Sequence, residues 1–262
     1  MYAVSPVAVE AWKQIFRWVE SESGIGLDII DYPAPAPLVD LWNRSDLGAV
    51  FMCGWPYAKA GFKHNLIVAP VPASDRCFNK PIYFTDFVVK RESSYLNLSE
   101  TFDDTLAWTV DHSHSGYNAV RYHLLSYLSP DRTRVYAKTL GPLFTPDGVI
   151  QSVLSDQAQV GPVDSLVFDI WRTHGDERAT KCRILESSNS APIPPLVASP
   201  KVDIEICRRL QEAFLHIHKV EKMEKYLRKV AISRFSLVEP SDYQILLDRA
   251  KDALLLGYPA LG

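Results

Sequence analysis

The chain alternates between stretches with apolar residues at helical spacing and short, continuous apolar runs. Val9, Trp12, Ile15, Phe16 and Val19 lie on one face of a predicted helix, a pattern typical of a helix that covers a sheet. Apolar runs of strand length predict strands in the segments LDIIDY, LGAVFMCGWPY, NLIVAPV and IYFTDFVVK, the second of which runs on into a loop. Helix and strand therefore alternate in the first third of the chain.

The same alternation continues to the end of the chain. LAWTV (Leu106–Val110) predicts a strand, and Tyr117, Val120, Leu124 and Leu128 predict the helix that follows. Later segments predict a helix at 149–154, a strand and turn in QVGPVDS, a helix in VFDIWRTHG, strands in ATKCRILESS and APIPPLVAS, and helices at 204–229 and 242–256. The pattern is typical of an α/β protein.

The loop DHSHSG joins the predicted strand LAWTV to its helix. In parallel α/β sheets such loops lie at the carboxyl ends of strands, where ligands bind, and Gly116 lets a ligand approach the backbone. The N–H groups at the helix N-terminus favour an anion or a carbonyl oxygen. The alternative is that Ser113 or Ser115 only caps the helix.

Composition excludes several classes of partner. The 262 residues carry a net charge of −3 and contain no dense Lys/Arg run, so we expect no nucleic acid partner. No apolar stretch approaches the roughly 20 residues of a membrane span, and the N-terminus lacks the regions of a secretory signal. The four cysteines show no CxxC spacing, which disfavours a zinc or redox site.

The histidines do not form a recognisable catalytic or metal-binding pattern. His112 and His114 supply only two ligands, with no carboxylate or cysteine at fixed spacing. A nucleophilic serine would need a positioned base, and the chain contains no GxSxG elbow. The sequence therefore predicts no metal, no cofactor and no catalytic residues.

Five segments in order give the chain a resemblance to a known family. They are VFMCGWPYA (50–58), YFTDFVVKRESS (83–94), SHSGYNAVRYHL (113–124), VGPVDSLVFDIW (160–171) and RFSLVEPSDYQILLDRAKDALLLGYP (234–259). In their order and spacing they resemble the phosphate/phosphite/phosphonate-type solute-binding proteins of ABC transporters. The resemblance covers nearly the whole chain.

The resemblance implies the two-lobed α/β fold of type II periplasmic binding proteins, with two crossover strands and a ligand cleft between the lobes. The extended segments IYFTDFVV and RILESSNSAPIPPLV are suited to be the crossovers. We therefore expect residues 84–184 to form one lobe. Residues 1–83 and 185–262 would together form the other.

The resemblance also implies the residues that contact the ligand. The Ser-x-Ser-Gly turn corresponds to Ser113, His114, Ser115 and Gly116, and would hold an oxyanion. The other ligand-binding residues that it implies are Tyr2, Trp55, Tyr57 and Asp164. We expect Tyr83, with Trp55 and Tyr57, to supply apolar walls of the site. Core packing is the alternative role for Trp55 and Tyr57, and a helix N-cap is the alternative for Asp164.

Two departures from the family pattern affect the prediction. Where relatives have a Gly-Ser-His stretch, this chain reads LGPLFTPDGVI, with Pro146 near the expected place of the histidine. A heterocycle or an aromatic acid is then as compatible with the site as a phosphoryl compound. The chain also begins at Met1 without an export signal. If a signal precedes this sequence, we expect a periplasmic location, and if Met1 is the native start, we expect a cytoplasmic one.

These observations predict a monomeric solute-binding protein that captures a small anionic or polar aromatic ligand for uptake, with an ABC transporter membrane component as its partner. The alternative is a cytoplasmic enzyme or ligand sensor on the same fold, for example in thiamine-pyrimidine or menaquinone-type metabolism. His112, His114 and Asp164 would be its only acid–base candidates.

Overall fold

The computed structural model describes residues 2–32 and 36–261, which form a mixed α/β structure. The helices along these residues are α1 (Pro6–Ser23), α2 (Leu38–Trp42), α3 (Gly54–Lys59), α4 (Ala119–Leu124), α5 (Pro146–Leu154), α6 (Ser165–Thr173), α7 (Glu177–Thr180), α8 (Ile204–His216), α9 (Glu221–Lys229) and α10 (Gln244–Leu255). The strands are β1 (Val50–Phe51), β2 (Asn65–Pro72), β3 (Ile82–Tyr83), β4 (Thr85–Lys90), β5 (Thr105–Ala107), β6 (Lys138–Leu140), β7 (Gly161–Asp164), β8 (Cys182–Ser187), β9 (Ala191–Pro192), β10 (Leu196–Ala198) and β11 (Ile232–Ser236). Over the described ranges, no helix is both long enough and apolar enough to span a bilayer.

The chain divides into two compact units. The first contains the residues up to Ile82 together with Pro192–Tyr243, and the second contains Tyr83–Ala191 together with the residues from Gln244 onward. The boundaries expected from the sequence differ from this division at residue 83, at residues 185–191 and at the C-terminal segment, and they remain a prediction. The C-terminal segment groups with the second unit because Tyr258 and Leu261 are buried in that unit's apolar core.

The first unit is built on a four-stranded antiparallel sheet in the order β1-β10-β2-β11. Strand β2 has two neighbours and six consecutive buried residues, as expected for an apolar run in the middle of a sheet. Helices α1 and α8 pack together, and α8 packs on β2. The ring of Phe214 on α8 meets Phe16 and Phe235 edge-on, with centroid distances of 5.7 and 4.9 Å.

The first helix forms as its pattern predicts. The hydroxyl of Ser5 accepts a hydrogen bond from the N–H of Ala8. Pro6 occupies the first turn, where the N–H that proline lacks would have no intrahelical acceptor. Gly24 ends the helix with φ of 65°, a left-handed conformation that glycine adopts without steric cost. Both ends of α1 are therefore specified locally.

The single helix expected at 204–229 is wrong, because the chain breaks between α8 and α9 at an extended Val220. One face of α8 is buried at Leu210 and Phe214, and the chain is buried again at Ile217. In an unbroken helix this face would next present residues 221, 224 and 228, all of which are charged. The break changes the phase of the helix, so that Met223 and Leu227 become buried instead.

Two further expectations for the first unit are wrong. LDIIDY forms no strand, and its Ile29 and Ile30 are 39% and 44% exposed, so the apolar run does not belong to the core. The loop expected in CGWPY is the helix α3. Pro56 is tolerated there because it lies in the first turn, where its missing N–H removes no helical hydrogen bond.

The second unit contains the sheet β7-β4-β8, whose neighbouring strands are antiparallel. Strand β5 runs parallel to β6, and a parallel bridge joins Leu106 to Val160, just before β7 begins. The carboxyl ends of β5 and β7 therefore lie at the same edge. That edge carries the segments DHSHSG and VDS, which the sequence singles out.

The core of the second unit allows a matched test of burial. Leu98 is fully buried, whereas Leu96, two residues earlier, is 83% exposed. We expect Leu98→Ala to lower the free energy of unfolding by about 2–5 kcal/mol, because it leaves a cavity. Leu96→Ala should change it by less than about 0.5 kcal/mol. Urea denaturation of both variants measures the difference, and equal effects would contradict this description of the core.

Candidate functional site

The SHSG turn begins a helix with an unusual first turn. Residues His114–Asn118 form a π-helical turn that continues directly into α4. Ser113 is the N-cap, and its hydroxyl accepts a hydrogen bond of 3.0 Å from the N–H of Gly116. The carbonyl of Ser113 accepts from both the N–H and the side-chain amide of Asn118. Ser113 is therefore occupied in closing the turn.

Ser115 differs from Ser113 in what its polar groups contact. Its carbonyl accepts a hydrogen bond of 3.0 Å from the Thr85 hydroxyl, which fixes the main chain. Among the described residues, its hydroxyl and its N–H have no hydrogen-bond partner. The first donors of a helix have no intrahelical acceptor and attract anions. Ser115 is also partly exposed, so the turn presents donors for a ligand oxygen there.

Gly116 is required because the turn lies against the end of the preceding strand. A Cβ atom at this position would be 1.9 Å from Oγ1 of Thr109 and 2.9 Å from two of its carbon atoms. The N–H of Thr109 donates back to the carbonyl of Gly116 at 3.4 Å. The turn and the strand are therefore in direct contact, and only glycine fits between them.

Thr85 connects the SHSG turn to Asp164. It pairs with Asp164 in the β4–β7 register, while its hydroxyl donates to Ser115. The Oδ1 atom of Asp164 accepts hydrogen bonds from the N–H groups of Leu166 and Val167, so Asp164 is the N-cap of α6. This is the alternative role that the sequence leaves open, and a direct role in ligand binding stays a prediction.

His114 and Tyr83 lie together in the interior of the second unit. Both are 1% exposed, and their ring centroids are 6.2 Å apart. Burial, and secondly the charge of Arg249, lower the pKa of His114 to about 3. The imidazole is therefore neutral at physiological pH and contributes no positive charge to the turn.

Arg249 is a functional candidate that sequence reasoning missed. It lies on α10, which packs against α4 and the π-helical turn, and its guanidinium contacts the Tyr122 ring and the Ser190 carbonyl. Arg249 immediately precedes Ala250 in the buried stripe Leu246, Ala250 and Ala253. A positively charged residue next to the buried face of a helix is the sequence signal that could have identified Arg249.

The loop that replaces the Gly-Ser-His stretch lies beside the end of β5. The carbonyl of Thr109 accepts hydrogen bonds from the N–H groups of Leu143 and Phe144, at 2.8 and 3.2 Å. Thr145 caps α5, whose first residue is Pro146. Residues 141–146 contain no ionisable side chain, so this loop offers apolar surface, backbone and one threonine hydroxyl.

The other predicted site residues lie in the first unit. Tyr2 is buried against Phe51, with a centroid distance of 5.0 Å, and Trp55 is partly exposed beside Lys59. Tyr57 is fully buried between Phe62 and Tyr243, as in the core-packing alternative, and its hydroxyl has no hydrogen-bond partner in the described part of the chain. Burial, and then the charge of Glu239, raise the pKa of Tyr57 to about 12.

The arrangement is suited to binding. Within residues 2–32 and 36–261, neither Ser113 nor Ser115 has a hydroxyl hydrogen-bonded to a histidine, as an activated nucleophile would need. In the same ranges no group of three or more His, Cys, Asp or Glu side chains could hold a metal ion. The donors at the turn can hydrogen-bond to an oxygen of a ligand without further chemistry.

Comparison with known proteins identifies the family. The family model described as "ABC transporter, phosphonate, periplasmic substrate-binding protein" matches residues 3–243. The chain belongs to this family. Membership supports a solute-binding role and not the alternative of an enzyme or sensor. It also implies a small-molecule ligand and an ABC transporter as partner.

Solved structures show the same fold as this binding protein. A binding-protein component of an ABC phosphonate transporter from Pseudomonas aeruginosa has a TM-score of 0.77 and 14% identity, over 94% of this chain and 82% of that one. PhnD1 from Prochlorococcus marinus, in complex with methylphosphonate, has a TM-score of 0.74 and 14% identity, over 94% and 93%. A Xanthomonas citri protein bound to ATP has a TM-score of 0.64 and 19% identity, over 95% and 94%. No curated protein matches in sequence. The fold is that of the type II periplasmic binding proteins, as predicted.

The contact between Gly116 and Thr109 generates a double-variant test. We expect Gly116→Ala to lower the free energy of unfolding by about 1–3 kcal/mol, because the new methyl group overlaps the Thr109 side chain. Adding Thr109→Ala removes two of the three close atoms and should recover part of that loss. Gly26→Ala is a control, since no atom lies within 4 Å of the added Cβ. Equal destabilisation by the single and double variants, in urea denaturation, would contradict the contact.

The buried His114 generates a pH prediction. The unfolded chain protonates this histidine below its ordinary pKa of 6.5, whereas the folded protein does so only near pH 3. The unfolded state binds more protons between these values, so the free energy of unfolding falls as pH decreases. In His114→Gln the slope between pH 6.5 and 4.5 should be smaller by about 1 kcal/mol per pH unit. Denaturation at several pH values measures it, with His112→Gln as the control, and an unchanged slope in His114→Gln would refute the prediction.

Proposed function

We propose that this protein binds a small anionic or polar aromatic ligand reversibly, with the SHSG turn holding an oxygen of its anionic group. Ser115 is the central residue of this proposal. Its N–H and hydroxyl supply two donors at a helix N-terminus. Since Ser113 is already engaged as the cap, Ser115 carries the side-chain contact.

The nature of the ligand follows from the charge and polarity around this turn. His114 is neutral, Tyr83 is aromatic and buried, and the loop 141–146 is uncharged. These groups suit a ligand with an apolar or aromatic part and one anionic group. The structural neighbours are described as bound to methylphosphonate and to ATP, which supports an anionic ligand. Tyr2, Trp55, Tyr57 and Asp164 remain predicted contacts.

The proposed physiological role is the delivery of this ligand to a membrane transporter. We infer a periplasmic location, supported by the family description. We also infer that the protein acts as a monomer. Size-exclusion chromatography with light scattering tests the monomer, and a stable dimer would contradict it.

Matched alanine variants of the two serines test the proposed site. Ser115→Ala should weaken binding by about 1–3 kcal/mol, because the ligand oxygen loses a donor. Ser113→Ala should lower the free energy of unfolding by about 1 kcal/mol, because it removes the N-cap. Calorimetric titration with methylphosphonate, inorganic phosphate and 4-hydroxybenzoate measures the first effect, and urea denaturation measures the second.

The same titrations can overturn the proposal. If the wild-type protein binds one of these anions and Ser115→Ala binds it equally well, the turn is not the site. If the recovered ligand is chemically altered, the protein is an enzyme. If chelation abolishes the affinity, a metal holds the ligand. Native mass spectrometry of the protein purified from its host then identifies the natural ligand directly.

A further inference from the structure

Arg249 lies on a helix from the distant end of the chain that reaches the proposed binding turn. Helix α10, which carries it, packs against both the π-helical turn and α4. The family match ends at residue 243, so Arg249 lies outside the matched segment.

In the part of the chain that the structure describes, most hydrogen-bonding capacity of Arg249 is unused. Its Nη1 donates to the carbonyl of Ser190 at 2.9 Å, and its Cζ lies 5.3 Å from the centroid of the Tyr122 ring. A guanidinium has five N–H donors, and this contact uses one of them. None of the ion pairs formed by the described residues includes Arg249.

Along residues 2–32 and 36–261, the charged form of Arg249 interacts with aromatic groups and forms no ion pair with a carboxylate. Its charge acts on the neutral His114 and on the phenol groups of Tyr83 and Tyr122. Burial lowers the pKa of Arg249, which reflects a cation partly removed from water. A partly buried cation is stabilised by an anion that pairs with it.

Arg178 shows what an arginine with a structural role looks like in this same unit. Its guanidinium is bonded to the carboxylates of Asp176 and Asp147, at 2.6 and 2.8 Å. These contacts raise the pKa of Arg178, whereas that of Arg249 is lowered. Arg178 is thus paired with carboxylates of its own chain, whereas among the described residues Arg249 is paired with none.

We propose that Arg249 is a specificity-determining residue that pairs with the anionic group of the ligand held at the Ser115 turn. This inference rests on the proposed function and deepens it. The turn supplies neutral donors, which can also hold an uncharged oxygen, whereas the guanidinium selects a ligand with a negative charge. Arg249 would in this way provide positive charge where His114 provides none.

The test compares variants at Arg249 with a matched control. Methylphosphonate, inorganic phosphate and 4-hydroxybenzoate are titrated into wild type, Arg249→Gln and Arg249→Lys, and into Arg172→Gln, which changes an exposed arginine of the same unit. We expect Arg249→Gln to weaken binding of the anion by at least about tenfold. Arg249→Lys should retain part of the affinity, and Arg172→Gln all of it.

Urea denaturation without ligand separates recognition from a purely structural role. A residue that serves the ligand leaves the ligand-free stability of Arg249→Gln at the wild-type level, and this is the result expected. A lower ligand-free stability together with lost binding would show that Arg249 has a structural role through its contacts with Ser190 and Tyr122. That result would overturn the inference. Equal affinity in wild type and Arg249→Gln would also overturn it, while leaving the proposed function intact. If no anion binds even to wild type, both proposals fail.

Discussion

The arrangement of the candidate site depends on Thr85, a buried residue at the start of β4. Its N–H and carbonyl bond to Ser188, it pairs with Asp164, and its hydroxyl donates to the carbonyl of Ser115. Three segments that are far apart in the sequence therefore meet at one residue. Because the hydroxyl bonds to the main chain of the turn, it orients the backbone of Ser115 and leaves the serine side chain available.

Much of this architecture was predictable from local patterns. The stripe on α1, the apolar run of β2 and the strand–turn–helix order around DHSHSG each follow from spacing and are confirmed by the structure. The sequence predicts that Gly116 lets a ligand approach the backbone, and the close approach that the structure contains is that of the Thr109 side chain. The family resemblance, which depended on the order of five segments, is confirmed by the family match.

Other features depend on contacts that local patterns do not contain. LDIIDY has the composition of a strand but no partner strand, and the break after α8 follows from the phase of buried residues across two helices. Ser113 and Ser115 have the same side chain, so the sequence alone does not show which of them caps the turn. In the structure the N–H of Gly116 donates to the hydroxyl of Ser113. Arg249 approaches the turn only because α10 folds back onto α4, a long-range contact with no local sequence signature.

Ser113 caps the turn, whereas Ser115 is the proposed contact to the ligand. These separate roles affect how the sequence of such a protein can change during evolution. On the proposed role, much of the recognition comes from main-chain N–H groups, which every residue type except proline carries. What must be inherited is the shape of the turn, held by the Ser113 cap, by Gly116 and by Thr85. Side chains such as His114 and Arg249 can then be exchanged to change the preferred solute without rebuilding the scaffold. The separation of scaffold from ligand contacts is compatible with a fold that is shared with other proteins at 14–19% identity.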